Sequence, residues 1–333
     1  MVKRWYVAAT TLCITLAQAT RAVEPIETVS ISFQPYALVF APDGATLAMV
    51  GYDEAVHLVD TATWKETRKL KWTSDVTERS FGTVAFAPDG SKIAIGGDLG
   101  SVCLWSLKDD RELKRWVTRN STKINCLQFS ADGNILLAAA RDDKFDDLEY
   151  EGGSLHRFDV EKFEEIKPLA KRDAAPHNFI ARLRSGDLFI GSRDGTALKW
   201  DLTKDTGKAL NTATGDISCQ TWAVAPDESE FIAGNHAKLD IRAMADGKLR
   251  ATLEGHKGYV LRDCYSPNGK LVASTGEDKT IRVWDPATGK QLKALDVPAD
   301  RILGLVFSPK GDLLISAGYD KKLRVWRVKD LTD

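Results

Sequence analysis

One spacing recurs along this chain and constrains its fold more than any other feature. Seven positions mark copies of a similar run of residues: Val59, Trp105, Phe158, Trp200, Arg242, Trp284 and Trp326. The last five marks lie 42 residues apart. A fixed period of this size predicts an array of one supersecondary unit. The 333 residues are therefore expected to form seven stacked units, although their number alone would allow two or three separate domains.

The clearest copy, residues 255–295, defines the unit. Its four runs rich in β-branched and apolar residues are 260–265, 271–274, 280–285 and 291–295. Turn residues (Pro, Asn, Gly and Asp) separate these runs, and no ten-residue stretch shows a helical period. A unit of four short antiparallel strands cannot bury both of its faces alone. We therefore predict an all-β fold, a seven-bladed β-propeller of four-stranded antiparallel blades.

The sixth unit resembles the WD-repeat (Trp-Asp repeat) β-propeller family. It opens with Gly255-His256, turns at a Pro-x-Gly segment (267–269), and places Asp278 before the third strand and Trp284-Asp285 at its end. The resemblance implies a structural hydrogen-bond network within this blade. Its members would be His256, Ser274, Asp278 and Trp284.

Other blades keep only parts of this pattern. The position of Asp278 is occupied by Asp53, Asp98, Asp194 and Asp320. In the third strands, His57 and His156 stand where blades 6 and 7 carry Arg282 and Arg324. We interpret these two histidines as surface residues of the repeat, not as ligands.

The two ends of the chain are predicted to close the ring together. Blade 7 reaches its third strand at residues 322–328, and no fourth strand follows in the sequence. Residues 26–33 form an alternating strand before blade 1 begins at Tyr36. The N-terminal strand should therefore complete the last blade, which removes two exposed sheet edges.

The first residues resemble an export signal. Lys3 and Arg4 precede an uncharged apolar stretch and the small residues of Ala17-Gln18-Ala19. We expect residues 1–19 to be a signal peptide, with cleavage after Ala19 or Ala22, followed by the propeller over 24–333. The protein would then be periplasmic or secreted. Without cleavage it would be an intracellular scaffold.

Composition excludes several classes of partner. The formal net charge of −1 leaves no basic excess to neutralise phosphates, so nucleic acid is not expected. Beyond the N-terminus, no apolar run approaches the roughly 20 residues that span a bilayer, so no stable membrane insertion is expected after signal cleavage.

No catalytic or metal-binding set is evident in the sequence. The histidines lack metal spacing, and no Cys-x-x-Cys, nucleophile elbow or phosphate loop occurs. His256, Asp278 and Ser274 suggest a catalytic triad, but the repeat accounts for all three as architecture. We predict a non-catalytic protein without cofactor or metal. The alternative is a hydrolase-like propeller enzyme with a site in the central channel or beside the acidic segment 141–153.

That acidic segment is the main break in the period. The gap between Trp105 and Phe158 is about eleven residues wider than the repeat. The added residues include six carboxylates together with Phe145 and Tyr150. They could grip a basic peptide, hold calcium, or form a solvated loop.

A second set of candidates follows from the register of the repeat. Residues just before the turn aspartates, and residues where the first strands begin, should gather around one end of the channel. They are Tyr52, Arg193, Glu277, Tyr319, Lys123, Tyr259, Arg262 and Arg301. Tyrosine and arginine are enriched in binding hot spots. We therefore predict an interaction platform that binds a protein or peptide on this loop face, with Phe145 and Tyr150 nearby.

Overall fold

The strands account for almost all regular structure in the described part of the chain. The computed structural model describes residues 23–71, 80–118, 121–142, 152–166, 177–204, 206–210, 219 and 221–332. Within them lie 28 β-strands and one 3₁₀ helix, Val328–Leu331. This agrees with the predicted all-β class.

The strand bounds follow the repeat. The first thirteen strands are β1 Glu27–Ser30, β2 Pro35–Phe40, β3 Thr46–Gly51, β4 Ala55–Asp60, β5 Lys65–Lys71, β6 Phe81–Phe86, β7 Lys92–Gly97, β8 Ser101–Ser106, β9 Arg111–Val117, β10 Ser121–Phe129, β11 Ile135–Asp142, β12 Gly153–Asp159 and β13 Glu164–Ile166. The remaining strands are β14 His177–Arg182, β15 Leu188–Ser192, β16 Ala197–Asp201, β17 Thr206–Leu210, β18 Trp222–Val224, β19 Glu230–Asn235, β20 Lys238–Ala243, β21 Leu249–Glu254, β22 Val260–Tyr265, β23 Val272–Gly276, β24 Thr280–Asp285, β25 Lys290–Asp296, β26 Ile302–Phe307, β27 Leu313–Gly318 and β28 Lys322–Arg327.

These strands form seven antiparallel sheets of four strands each. Six sheets use four consecutive strands, beginning at β2, β6, β10, β14, β18 and β22. The first strand of each set lines the centre of the ring and the fourth lies outside. The seven-bladed propeller predicted from the repeat is confirmed.

The seventh sheet closes the ring with strands from both ends of the chain. Its order is β1-β28-β27-β26. The pairing runs from Glu27 opposite Val325 to Ser30 opposite Lys322, and backbone bonds from Ile26 and Ile31 extend it. The predicted closure by the N-terminal strand is therefore confirmed, with the strand itself shorter than the predicted 26–33.

The hydrophobic core lies between blades. Seven clusters of buried apolar side chains lie among the described residues, and each joins two neighbouring blades. One of them joins Phe40 and Met49 of blade 1 to Ile315 and Leu323 of blade 7. Every interface of the ring is thus sealed by apolar burial, the main favourable term in folding.

The inner strands share an irregularity that shapes the channel. A β-bulge lies near the start of the first strand in six blades. In blades 1, 3 and 4 the bulged residues are Tyr36, Asn125 and Asn178. Such bulges re-aim side chains. The two asparagine amides donate to the next blade, at His177 O (2.9 Å) and Cys219 O (3.0 Å).

Candidate interaction face and central channel

One face of the ring carries the loops between the second and third strands of each blade. Because neighbouring strands are antiparallel, the same face carries the segments that lead into the inner strands. Four candidates predicted from the sequence lie in the first kind of loop: Tyr52, Arg193, Glu277 and Tyr319. Tyr259 and Arg301 lie directly before the first paired residue of an inner strand, and Lys123 lies near the start of β10, where it pairs with Arg141. We call this surface the loop face.

Two tyrosines meet on the loop face at the seam where the ring closes. The Tyr52 and Tyr319 hydroxyls are 3.3 Å apart, and the rings are edge-on with centroids separated by 6.2 Å. Tyr52 is 47% exposed. Hydrogen bonding to Tyr319, together with burial, raises the pKa of Tyr52 above its usual value. The Tyr52 phenol is therefore protonated at neutral pH.

The remaining loop-face candidates do not form one cluster. Tyr259 is 38% exposed, and its ring lies tilted against that of His236 with centroids 5.1 Å apart. Its backbone N–H donates to Glu277 Oε2 at 3.4 Å. Arg193 and Arg301 are exposed, and their carbonyls receive backbone bonds from neighbouring segments. They are distributed around the rim.

Lys123 and Arg262 converge inside the channel on Tyr36, a residue that the sequence reasoning did not select. Lys123 Nζ lies 3.3 Å from Tyr36 Oη and 4.4 Å from the ring centroid, and Arg262 Cζ lies 4.9 Å from that centroid. Lys123 reaches across blade 2 at Gly82, where an added Cβ would lie 3.0 Å from Lys123 Cε. Arg262 lies inside β22 and not at the entrance of the strand, because it pairs with Thr275 beyond the bulge.

The electrostatics of this trio follow from its geometry. Burial raises the pKa of Tyr36, but the charges of Arg262 and Lys123 and their hydrogen bonds outweigh burial and lower the pKa to about 8. At neutral pH the phenol is therefore mostly protonated. Among the described residues, neither Lys123 nor Arg262 forms an ion pair with a carboxylate. The two cations thus lack a full counter-charge.

A cavity of about 260 Å³ lies around the trio, lined by inner strands of blades 1 to 6. Three buried polar atoms of its lining residues have no hydrogen-bond partner within the described chain: Asn178 Oδ1, Trp222 Nε1 and Asp263 Oδ2. Thr221 donates to the other oxygen of Asp263. Burial raises the pKa of Asp263 to about 7 despite that hydrogen bond and the nearby Arg262.

The blade 6 residues implied by the family resemblance are joined in a hydrogen-bonded chain. Trp284 Nε1 donates to Ser274 Oγ at 2.9 Å, Ser274 lies 2.8 Å from His256 Nε2, and His256 Nδ1 lies 2.9 Å from Asp278 Oδ1. Gly276 is required beside it, because a Cβ there would come within 2.5 Å of His256 Nδ1. Ser274 is completely buried and holds Trp284, so a substrate has no path to its hydroxyl.

The interpretation of His57 and His156 as surface residues is wrong. His57 is fully buried and bonds Asp53 at 2.8 Å and Glu66 at 2.5 Å. His156 is also buried and bonds Ser154 at 2.8 Å and Glu165 at 2.7 Å. Each imidazole lies where Arg282 and Arg324 contact their turn aspartates. In each of these blades a glutamate of the outer strand covers the imidazole. The sequence of the third strand alone does not indicate this contact.

The acidic segment begins and ends at the loop face. Asp142 ends β11, Gly153 begins β12, and Asp142 N bonds Gly152 O at 2.9 Å. Phe145 and Tyr150 lie outside the described residues. Across the described residues, no group of three or more His, Cys, Asp or Glu side chains is arranged to hold a metal ion. Likewise, no described helix has the length and apolar character needed to cross a bilayer.

With the ring established, its repeats can be compared with known proteins. The model of the WD domain, G-beta repeat, matches residues 70–106, 112–145, 247–285 and 289–327. Three of these matches start at or near an outer strand and end with the third strand of the next blade, so the repeat straddles two blades. The chain is thus a seven-bladed β-propeller in which four segments match the WD40 repeat.

Three curated relatives illustrate the range of similar proteins. The chain is 38% identical over 87 residues to small ribosomal subunit protein RACK1y of Oryza sativa subsp. japonica, covering 26% of each protein. It is 24% identical over 236 residues to nuclear distribution protein nudF of Aspergillus niger, covering 61% of this chain and 51% of that protein. It is 31% identical over 138 residues to transcription factor unc-37 of Caenorhabditis elegans, covering 39% and 22%. The aligned parts thus span between about a fifth and about half of these relatives.

These relatives contradict the predicted export. A ribosomal subunit protein, a nuclear distribution protein and a transcription factor all belong inside the cell. The prediction of a periplasmic or secreted protein, drawn from one apolar stretch, is therefore wrong. The predicted signal peptide, with cleavage after Ala19 or Ala22, lies outside the described residues.

Proposed function

We propose that this protein is an intracellular, non-catalytic scaffold that binds a protein or peptide partner across the loop face. The observation that carries the proposal is the Tyr52–Tyr319 pair, two aromatic side chains held together at the seam beside the channel mouth. Tyrosines of this kind supply large contact area and directional hydrogen bonds at low entropic cost. The relatives' association with a ribosomal subunit, nuclear distribution and transcription supports the same class of role.

The rigid ring lowers the conformational entropy lost on binding. The loops of the face are anchored to strands whose inter-blade clusters are buried, so few backbone torsions need to be fixed when a partner docks. Exposed Tyr259 and Arg301 extend the face beyond the central pair. The lack of catalysis belongs to the proposal. It is supported by the buried position of the His256–Ser274 pair, which serves the structure of blade 6.

Affinity capture from the native cell tests this function. The tagged wild type and a Tyr52→Ala/Tyr319→Ala variant are compared, with Leu249→Ala as the matched control. Leu249 is 53% exposed but lies on the outer strand β21, away from the loop face. We expect the wild type and the control to recover the same partner, and the double variant to bind it at least roughly 30-fold more weakly. Equal recovery by all three, or no recovered partner, would contradict the proposal.

A further inference from the structure

The channel cavity carries an excess of positive charge, which binding across the loop face alone does not require. Lys123 from blade 3 and Arg262 from blade 6 both reach Tyr36 of blade 1, so three separated inner strands contribute to one point. Asp263 is the acidic group that lines the same cavity, and its raised pKa of about 7 leaves it only partly ionised at neutral pH. Two full positive charges therefore exceed the negative charge around this cavity.

We propose that the channel receives an anionic side chain of the partner, a carboxylate or a phosphorylated residue, held by Lys123, Arg262 and the Tyr36 hydroxyl. This inference rests on the proposed scaffold function and names the chemistry of the partner segment at its centre. The ammonium and guanidinium groups would donate charge-assisted hydrogen bonds, and the phenol would add a neutral donor.

The size of the cavity favours one inserted side chain. Its volume of about 260 Å³ is below the roughly 300–1,000 Å³ typical of sites for drug-sized ligands. A folded element cannot enter, whereas a glutamate or phosphoserine side chain can. Asn178 Oδ1 and Asp263 Oδ2, which have no hydrogen-bond partner among the described residues, provide acceptors in the lining for N–H groups or water that accompany such a guest.

A path of aromatic rings joins the cavity to the loop face. The Tyr36 ring is edge-on to Tyr52 with centroids 6.3 Å apart, and Tyr52 in turn meets Tyr319. A partner chain lying on the Tyr52–Tyr319 pair would therefore have the cavity directly beside it. This continuity favours a side chain delivered by a docked protein over an anion that diffuses in alone.

The first arm of the test uses Tyr36 as a reporter. Tyrosine ¹³Cζ resonances are followed in the intact protein during addition of N-acetylglutamate, with the uncharged N-acetylglutaminamide as the control and inorganic phosphate as a second anion. A bound anion disfavours the phenolate, so the Tyr36 titration midpoint should rise above pH 8. Tyr36→Phe identifies the resonance. An unchanged midpoint with both anions would overturn the proposal.

The second arm uses the captured partner. Lys123→Gln and Arg262→Gln should each weaken partner binding roughly 10- to 100-fold, since each removes a charge-assisted hydrogen bond. Lys270→Gln removes the same charge from the exposed turn after β22, at the opposite end of the blade, and should bind as the wild type does. Thermal unfolding of each variant checks that the ring is intact.

The outcomes separate this inference from the scaffold function. If a partner is captured but ignores both channel substitutions, the scaffold stands and the channel inference fails. If N-acetylglutamate shifts Tyr36 but no partner is captured, the anion site stands and the scaffold proposal fails. If free anions bind while partner binding is unaffected in both variants, delivery by a docked protein is refuted.

Discussion

At the scale of single residues, the serine at one repeat position has two side-chain hydrogen-bond partners in blade 6 and one in blade 7. Ser274 Oγ accepts from Trp284 and contacts His256, whereas Ser316 Oγ accepts from Trp326 at 3.0 Å in a blade that lacks the histidine. The two serines therefore form a matched pair for measuring the network.

Ser274→Ala should destabilise the protein more than Ser316→Ala. The first change leaves two buried polar groups without their partner and should cost about 2–4 kcal/mol, whereas the second leaves one and should cost about 1–2 kcal/mol. Urea unfolding of both variants beside the wild type measures the difference. Equal losses would show that His256 contributes nothing through Ser274.

The stability of blade 6 should also depend on pH. Burial lowers the pKa of His256, although Asp278 opposes it. Since the folded state binds this proton less readily than the unfolded chain, the contribution is complete above the ordinary value of about 6.5 and declines below it. Burial raises the Asp278 pKa, but hydrogen bonds from His256, Lys257 N and Thr280 prevail and lower it to about 2, so its contribution declines only below about pH 4.

His256→Gln should remove the upper of these two steps. Between about pH 7 and pH 5 the wild type should lose stability relative to this variant, and the advantage of the wild type should shrink. The measurement is urea unfolding at a series of pH values, with Asp278→Asn as the comparison that removes the lower step. A wild-type advantage that stays constant over this range would contradict the assignment.

At the residue scale, the repeat pattern relates the residues at its marked positions but does not indicate contacts that other positions make. The blade 6 residues lie within one repeat, so the pattern nominated them together. Tyr36 was missed because its cations come from blades 3 and 6, and no local pattern joins those positions. The burial of His57 depends on Glu66 of the next strand, which the equivalent arginines of other blades do not suggest.

At the scale of elements, the four-residue strand β1 closes the ring by pairing with β28. Its four residues are mostly exposed, yet Phe33, which follows it, is only 4% exposed and stacks on His57 with ring centroids 3.9 Å apart. The strand thus covers the free edge of β28 while its continuation seals the interface of blades 7 and 1. The alternation of the sequence indicated the pairing, but not the buried ring that follows.

A chain that starts at residue 35 should open or aggregate. It lacks both the strand that covers β28 and the Phe33 side chain, so an unpaired edge and an apolar seam are exposed together. Size-exclusion chromatography and hydrogen exchange at Leu323 and Val325 measure the effect. A synthetic peptide of residues 23–34 should restore protection in trans. Stability equal to that of the longer chain would contradict this role.

At the scale of the whole molecule, the ring survives irregular blades because its cohesion lies between them. Blade 5 has Arg242 in place of the tryptophan and uses a buried ion pair with Asp240 at 3.1 Å. Its neighbours are still joined to it by complete apolar clusters. The repeat period therefore predicts the architecture from spacing alone. The chemistry of the channel depends on side chains at positions that the repeat does not specify.

The shared seventh blade also has a consequence for how the protein is made. Strand β1 leaves the ribosome before β28 and has no partner until β28 has been made. Between these two events, the growing set of blades has an uncovered apolar face at each end. Joining segments separated by nearly the whole sequence carries a large loop-closure entropy. Ring closure is thus the step at which a newly made chain is most exposed to chaperones and to misassembly with another copy.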